Sequence, residues 1–410
     1  MASSGWARAA LGAMVALALG LAVAGCGGSS GGGGGKSGGG AGGSSGKLEI
    51  ALQDDAVFLQ RSYYDRDRAL EQAQRMGVTR LRVLAIWNRV PGVEPDARTR
   101  PASLGYDWSS YDSLIDDAAK RGIRLQLDLT GPAPAWATGD GKPGVYRPDP
   151  REFGEFAAAA ARHFKDRVDR YSIWNEPNYV SWLAPRRSEP RIYRELYARA
   201  YAAVKAADPG AEVLIGETAP YAEPGRATAP LAFLRALTCR TRAYAPAARC
   251  APLRADGYAH HPYEFPDPPR ATNAGADDVS LGGLDRLSGA LERLGRAGAL
   301  TSREGKPLAI YLTEFGYFAR GSQALPARTR ARSLEAAFEI AARNRSVREM
   351  LQYMLIEPPK GIRFDTSLIG MDGKPTLPYL RLAGWARRNS KDGRVQPNPG
   401  HIDLPPPSGA

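Results

Sequence analysis

The sequence predicts an α/β fold: a single closed barrel of eight parallel strands, each followed by a helix, with long βα loops. Three observations predict it. Strand-like and helix-like stretches alternate from residue 48 to residue 388, and such alternation builds a parallel sheet. Eight such pairs in about 340 residues fit a (β/α)₈ TIM barrel with extended loops. Finally, the first strand runs into Gln53-Asp54-Asp55, unlike the glycine-rich phosphate loop that an open doubly wound sheet carries there.

The elements follow in order. Leu48–Leu52 is a short first strand, and Tyr63–Met76 is a helix that Gly77 stops, since glycine takes the left-handed cap without penalty. Thr79–Ile86 is the second strand, Trp108–Arg121 a helix with Gly122 as its stop, and Ile123–Leu129 the third strand. Gly131-Pro132-Ala133-Pro134 breaks that strand. Pro150–Lys165 is an alanine-rich helix, and the apolar run Val168–Trp174 is the fourth strand. Pro190–Ala207 is a helix with proline at its start and Asp208-Pro209-Gly210 at its end. Glu212–Ile215, Gly257–His260, Leu308–Thr313 and Met350–Ile356 are the remaining strands. The helices Ala229–Thr238, Leu284–Leu300, Ala327–Asn344 and Pro378–Arg388 follow them.

Outside the barrel the composition changes. Arg8 precedes an apolar segment, Ala9–Ala24, the pattern of an export signal. Val23-Ala24-Gly25-Cys26 looks like a bacterial lipobox, which would make Cys26 the lipidated first residue of the mature chain. An ordinary signal peptide or a short membrane anchor is the alternative. Residues 1–25 are therefore expected as a signal peptide, and 26–46, nearly pure Gly and Ser, as a flexible tether. The barrel is expected over 47–389, and 390–410 as a loose Pro- and Gly-rich tail. The expected location is extracytoplasmic, tethered to a membrane, or secreted if the lipobox is not used. Cys239 and Cys250 stand close together, and in an oxidising compartment they predict a disulfide; two unrelated thiols are the alternative.

The chain has 410 residues and a formal net charge of +12. No dense basic run with interleaved aromatics accompanies that charge, so nucleic acid is not an expected partner. The arginines read as exposed helix faces, and weak attraction to an anionic surface or acidic glycan stays open.

Two strands end in the same way. Val168–Trp174 stops in Asn175-Glu176-Pro177, where proline cannot continue a ladder, and Leu308–Thr313 stops in Glu314-Phe315-Gly316. In a barrel of this kind the active site lies at the C-terminal ends of the strands. Strands four and seven face each other across the mouth, with Cα atoms about 13 Å apart for a barrel radius of about 7 Å. Side chains reaching inward by roughly 4 Å each would bring the carboxyl groups to about 5 Å, the spacing of a retaining glycosidase.

These stretches resemble the clan of retaining (β/α)₈ glycoside hydrolases often called clan A, and most nearly its families 5 and 39. Trp174-Asn175-Glu176-Pro177 is similar to the clan's strand-four signature. The resemblance implies that Glu176 is the acid/base and that Asn175 holds the sugar 2-hydroxyl. Thr313-Glu314-Phe315-Gly316 is similar to the strand-seven signature, which implies Glu314 as nucleophile. Arg82 matches the arginine beneath the nucleophile, and His261-Pro262-Tyr263 the strand-six segment whose aromatic side chain contacts it. One departure stands out: many members carry a tryptophan at the end of strand eight, and here that strand reads Gln352-Tyr353-Met354-Leu355-Ile356-Glu357.

The resemblance implies hydrolysis of a β-linked saccharide without a cofactor. A transglycosidase with the same residues, or an inactive carbohydrate-binding lipoprotein, are the rival readings. No metal is expected, because His260 and His261 lack a third ligand at useful spacing. Trp87, Trp136 and Trp182 follow strands and are read either as sugar platforms or as loop packing. Glu217, at the end of strand five, is read as an outer-subsite or helix-capping residue, and Asp54 and Asp55 carry the same ambiguity.

Overall fold

The computed structural model describes residues 46–272 and 275–407. The expected signal segment, Cys26 and the tether up to residue 45 lie outside the described residues. Eight parallel strands close into a barrel: β1 Glu49–Gln53, β2 Arg80–Ile86, β3 Arg124–Thr130, β4 Arg170–Ile173, β5 Glu212–Thr218, β6 Gly257–His260, β7 Ile310–Leu312 and β8 Val347–Tyr353. Each pairs with its neighbour in sequence, and β8 pairs back onto β1 in register Glu49 with Glu349 through Gln53 with Tyr353. The helices between them are α1 Arg66–Met76, α2 Ser109–Ala119, α3 Pro150–His163, α4 Glu189–Ala207, α5 Pro230–Leu237, α6 Leu284–Arg296, α7 Ala327–Arg343 and α8 Leu377–Lys391.

Local chemistry sets the helix ends. Asp65 accepts from the Arg68 amide before α1, and Asp149 accepts from the Arg151 and Glu152 amides before α3; both satisfy amides that have no partner in the first turn. Gly77 caps α1 at φ 90°.

The two faces of the barrel wall differ in kind. Leu81, Val83, Leu125, Leu127, Leu129, Tyr171, Ile173, Val213, Ile215, Ile310 and Leu312 join the helices in one continuous apolar core. Between them, residue by residue, stand Arg80, Arg82, Gln126, Asp128, Arg170 and Ser172, all buried. These point into the barrel. Arg170 spans the lumen, donating to Glu49 at 2.6 Å and Glu349 at 2.7 Å, and to Glu212 at 2.6 Å. Arg80 lies beside it, paired with Glu49 and Asp169. On the far wall Leu214, Ala259 and Tyr311 form a small apolar patch. The lumen is therefore filled mainly by paired charges rather than by the branched apolar layers usual in this fold.

The expected loose tail from 390 is corrected by the structure. Helix α8 runs on to Lys391, and Val395 then bridges to Leu48. The Asn398 Nδ2 donates to the Val78 and Arg121 carbonyls at 2.6 and 3.0 Å, and the Ile402 amide to Ala119 at 2.9 Å. The tail thus straps the end of the barrel where strands begin. Gly122 makes this possible: a Cβ there would stand 2.5 Å from Asn398 and 2.6 Å from Gly400. Helix α6 is also shorter than expected. It ends at Arg296, Gly298 turns the chain at φ 63°, and Leu300–Thr301 pairs with Leu253–Arg254 in a small side sheet. Cys239 and Cys250 are bonded, with Cα atoms 6.1 Å apart.

Candidate active site

The strand-four turn is strained in a way that serves the site. Trp174 and Glu176 both have positive φ, 65° and 40°, where bulky residues seldom sit. Trp174 holds the turn: its ring is buried, and its Nε1 donates to the Trp182 carbonyl at 2.8 Å. Its indole lies so near Gly131 that a Cβ there would meet the ring at 2.6 Å. The Asn175 amide donates to Thr130 Oγ1, and the Glu176 amide to the Glu217 carbonyl, each at 2.9 Å. The turn is thereby tied to β3 and β5 and presents Asn175 and Glu176 to the mouth.

Arg82 is the centre of one network. Its guanidinium donates to Glu314 Oε1 at 2.9 Å, Asp128 Oδ2 at 2.9 Å, Asn175 Oδ1 at 2.7 Å and both Glu217 oxygens at 3.3 and 3.2 Å. Because an arginine can only donate, Asn175 turns its carbonyl toward Arg82 and its NH₂ away. Tyr263 donates to the other Glu314 oxygen at 3.1 Å.

His261 is the centre of a second. Its Nδ1 lies 3.0 Å from Glu176 Oε1 and 3.8 Å from Glu314 Oε2, and its Nε2 lies 2.8 Å from Glu217 Oε2. The Glu176 and Glu314 oxygens therefore lie within the sum of the first two distances, about 6.8 Å of each other. Each of the two side chains keeps 6 % exposure, so the pair is nearly dry yet reachable.

The charges follow from these contacts. Burial raises the pKa of the Glu176 carboxyl, and the charge of Glu314 adds to the rise, against the hydrogen bond and charge of His261. Glu217 goes the other way. Burial alone would raise it, but Arg82 and then His261 bring it down to about 2. His261, which burial would push down, is raised to about 10 by Glu314, Glu176 and Glu217. Burial keeps Asp128 well above the usual carboxylate range despite Arg82.

No protein-family profile matches the sequence, and no curated protein does. Solved structures do match. A family 39 glycoside hydrolase from Bacteroides cellulosilyticus WH2 superposes at TM-score 0.60 and 19% identity, over 83% of this chain and 64% of that one. A monomeric beta-xylosidase from Caulobacter crescentus CB15 gives 0.54 and 18%, over 82% and 67%. Xylanase 10B from Thermotoga petrophila RKU-1, solved with xylobiose, gives 0.54 and 16%, over 84% and 95%. The chain has their barrel fold. It spans 64% of the length of the Bacteroides protein.

Of the residues singled out in the sequence, the structure brings together Glu176, Glu314, Asn175, Arg82, His261 and Tyr263. Trp87 requires correction as a sugar platform. It is fully buried, stacked on Phe156 at 5.7 Å and edge-on to Trp136 at 5.6 Å. Its apolar ring gains more from that core than from the loop surface. Trp136 is half-buried beneath the Arg100 guanidinium at 5.9 Å, and Trp182 packs with Tyr179, Ala219 and Ala227. Asp54 and Asp55 hold the chain in place: Asp54 accepts from the Leu355 and Ile356 amides, and Asp55 from Leu84.

Glu217 is neither an outer-subsite residue nor a cap. It lies at the heart of the site, fully buried and at φ 49°. A signal was present, since Glu217 is a third strand-end glutamate. Asp128 likewise interrupts an apolar strand. At the end of β8, where the tryptophan is missing, stands Tyr353, whose ring meets Phe364 at 5.5 Å; Phe364 in turn packs on Tyr263 at 6.1 Å.

Proposed function

We propose that the chain is a retaining glycoside hydrolase acting on O-glycosidic bonds of a β-linked oligo- or polysaccharide. In this reading Glu176 is the acid/base and Glu314 the nucleophile, and the protein is exported and held at a membrane through a lipidated Cys26. One observation carries the reading: the two carboxyl oxygens within about 6.8 Å of each other. That bound accommodates the roughly 5–5.5 Å spacing of a retaining pair and leans toward it over the roughly 6.5–9.5 Å separation that gives an inverting enzyme room for its water. A beta-xylosidase and a xylanase among proteins of the same fold support a β-linked substrate.

The chemistry runs in two displacements. Glu314 attacks the anomeric carbon, the bond to the leaving oxygen breaks, and that oxygen takes the proton of Glu176. The raised pKa of Glu176, from burial and the charge of Glu314, favours the protonated form that the acid role needs. Arg82 and Tyr263 each donate to Glu314 and hold it aimed as it reacts. Glycosylation removes the charge of Glu314, so the affinity of Glu176 for its proton falls. Glu176 is then left ionised and takes a proton from water, whose oxygen attacks the anomeric carbon and frees Glu314. The Asn175 NH₂, turned away from Arg82, is the donor suited to a sugar hydroxyl whose hydrogen bond strengthens in the transition state.

A panel of aryl β-glycosides tests the activity, and a mechanism-based fluoro-sugar tests the roles. Labelling is expected on Glu314, and Glu314→Gln is expected to lose hydrolysis, by roughly 10⁴-fold or more. Hydrolysis that survives in Glu314→Gln, or a label on another residue, removes Glu314 from the mechanism.

A further inference from the structure

His261 presents both ring nitrogens to carboxyl oxygens: Nδ1 to Glu176 at 3.0 Å and Nε2 to Glu217 at 2.8 Å. In the reading above the Glu176 proton is directed at the leaving oxygen and not at Nδ1, so a neutral imidazole, with one donor and one acceptor, would set a lone pair against an oxygen of Glu176 or of Glu217. Two N–H donors satisfy both contacts. Glu217 is the partner that makes this arrangement durable. It is fully buried, and it is fixed on three sides, by Arg82, by Thr313 Oγ1 at 2.6 Å and by His261. We propose that Glu217 is a positioning residue that holds His261 as an imidazolium and, through it, sets the acid strength of Glu176.

The proposal rests on the reading of Glu176 as acid/base and extends it. An imidazolium 3.0 Å from Glu176 favours the ionised carboxylate. It therefore opposes the burial and the Glu314 charge that keep Glu176 protonated. The result is an acid that still holds its proton but releases it to a leaving oxygen more readily than burial alone would allow. The other charged and titratable groups facing His261 are Glu314 at 3.8 Å from β7, and beyond the first contacts Arg82 from β2, Asp128 from β3 and the adjacent His260. His260 does not compete. It is bonded to Thr218 and the Val279 carbonyl, and burial lowers it to about 3. Glu217 itself also faces Tyr193 and, deeper in the lumen, Glu349.

The test does not need turnover. The sequence has 4 histidines, so ring-nitrogen NMR of the labelled whole protein can read His261, and carboxyl-carbon NMR can read Glu176. In the wild type, His261 is expected doubly protonated at about pH 8, well past its ordinary titration. In Glu217→Gln it is expected neutral there, with the Glu176 titration moved up by about one pH unit or more. Glu217→Asp restores both. Thr313→Val, which removes one donor to Glu217, moves both in the Gln direction by less, and it serves if Glu217→Gln does not fold. The alkaline limb of kcat/KM should follow the Glu176 titration upward. A neutral His261 in the wild type, a charged one in both variants, or an unmoved Glu176 titration overturns the proposal. An inactive wild type with these titrations intact would instead sink the hydrolase reading and leave the charge relation standing.

Discussion

Replacing Arg82 by methionine removes one side chain that five groups share. Its guanidinium is fully buried and engages Glu314, Asp128, Asn175, Gln53 and both oxygens of Glu217. Methionine fills the same length but donates nothing. The Glu217 carboxylate is then left inside the barrel without its guanidinium partner, though still bonded to His261 and Thr313. Deleting one member of a buried ion pair costs about 3–5 kcal/mol, and that is the loss expected near neutral pH. The loss also has a pH signature. In the wild type Arg82 is the largest influence holding Glu217 down at about 2. Without it, burial governs and the folded-state pKa rises above that of the unfolded chain. A carboxyl raised in this way binds its proton more tightly when folded, so its contribution to stability falls as pH rises. The difference between Arg82→Met and wild type should therefore widen from about pH 5 to about pH 8. Urea unfolding followed by tryptophan fluorescence at the two pH values measures it, with kcat/KM on the same samples. A difference under about 1 kcal/mol that does not change with pH would refute the view of Arg82 as the keystone of the buried charges.

Two further predictions address the opposite end of the barrel. Burial, with Glu49 sharing the same arginine, raises Glu349 from the ordinary 4.5 to about 7. Its folded-state proton is lost as pH rises through that range, so the wild type weakens between those values; Glu349→Gln, which stays neutral, should gain about 3 kcal/mol above pH 7 and nothing below 4.5. Parallel stability curves for the two proteins across that range would rule this out. Asn398→Ala removes two hydrogen bonds to the Val78 and Arg121 carbonyls and should cost about 1–3 kcal/mol. A lowered Tm with unchanged kcat is the expected pattern, because the strap lies at the end of the barrel away from the glutamates.

Strand and helix order was legible because the apolar runs and their glycine and proline stops are strong local signals. Gly257–His260 was read to the residue, and most other elements to within a few. Failures came where a distant partner decides the outcome. Asn389 to Asp403 carries loop composition, yet it is pinned by backbone groups of Val78, Ala119 and Arg121, and no composition can report a partner so far away in sequence. Trp87 carries the signature of an exposed loop aromatic, and only the arrival of Phe153 and Phe156 from α3 hides it.

The strand sequences held a further signal that points to chemistry. In a sheet covered by helices and closed into a barrel, both faces of each strand are buried, so a strand should read as an unbroken apolar run. Here Arg80-Leu81-Arg82-Val83 and Leu125-Gln126-Leu127-Asp128 alternate instead, as strands half in water do. The closed order of the sheet removes the water face, so the polar half must face the lumen. A buried lumen tolerates charge only when it is paired. Arg82 and Arg170 answer to that requirement: each is in contact with three carboxylates. At the upper end the pairing is thinner: Glu314 is the third carboxylate of Arg82, Glu176 has His261 in place of an arginine, and each of the two keeps 6 % side-chain exposure at the mouth.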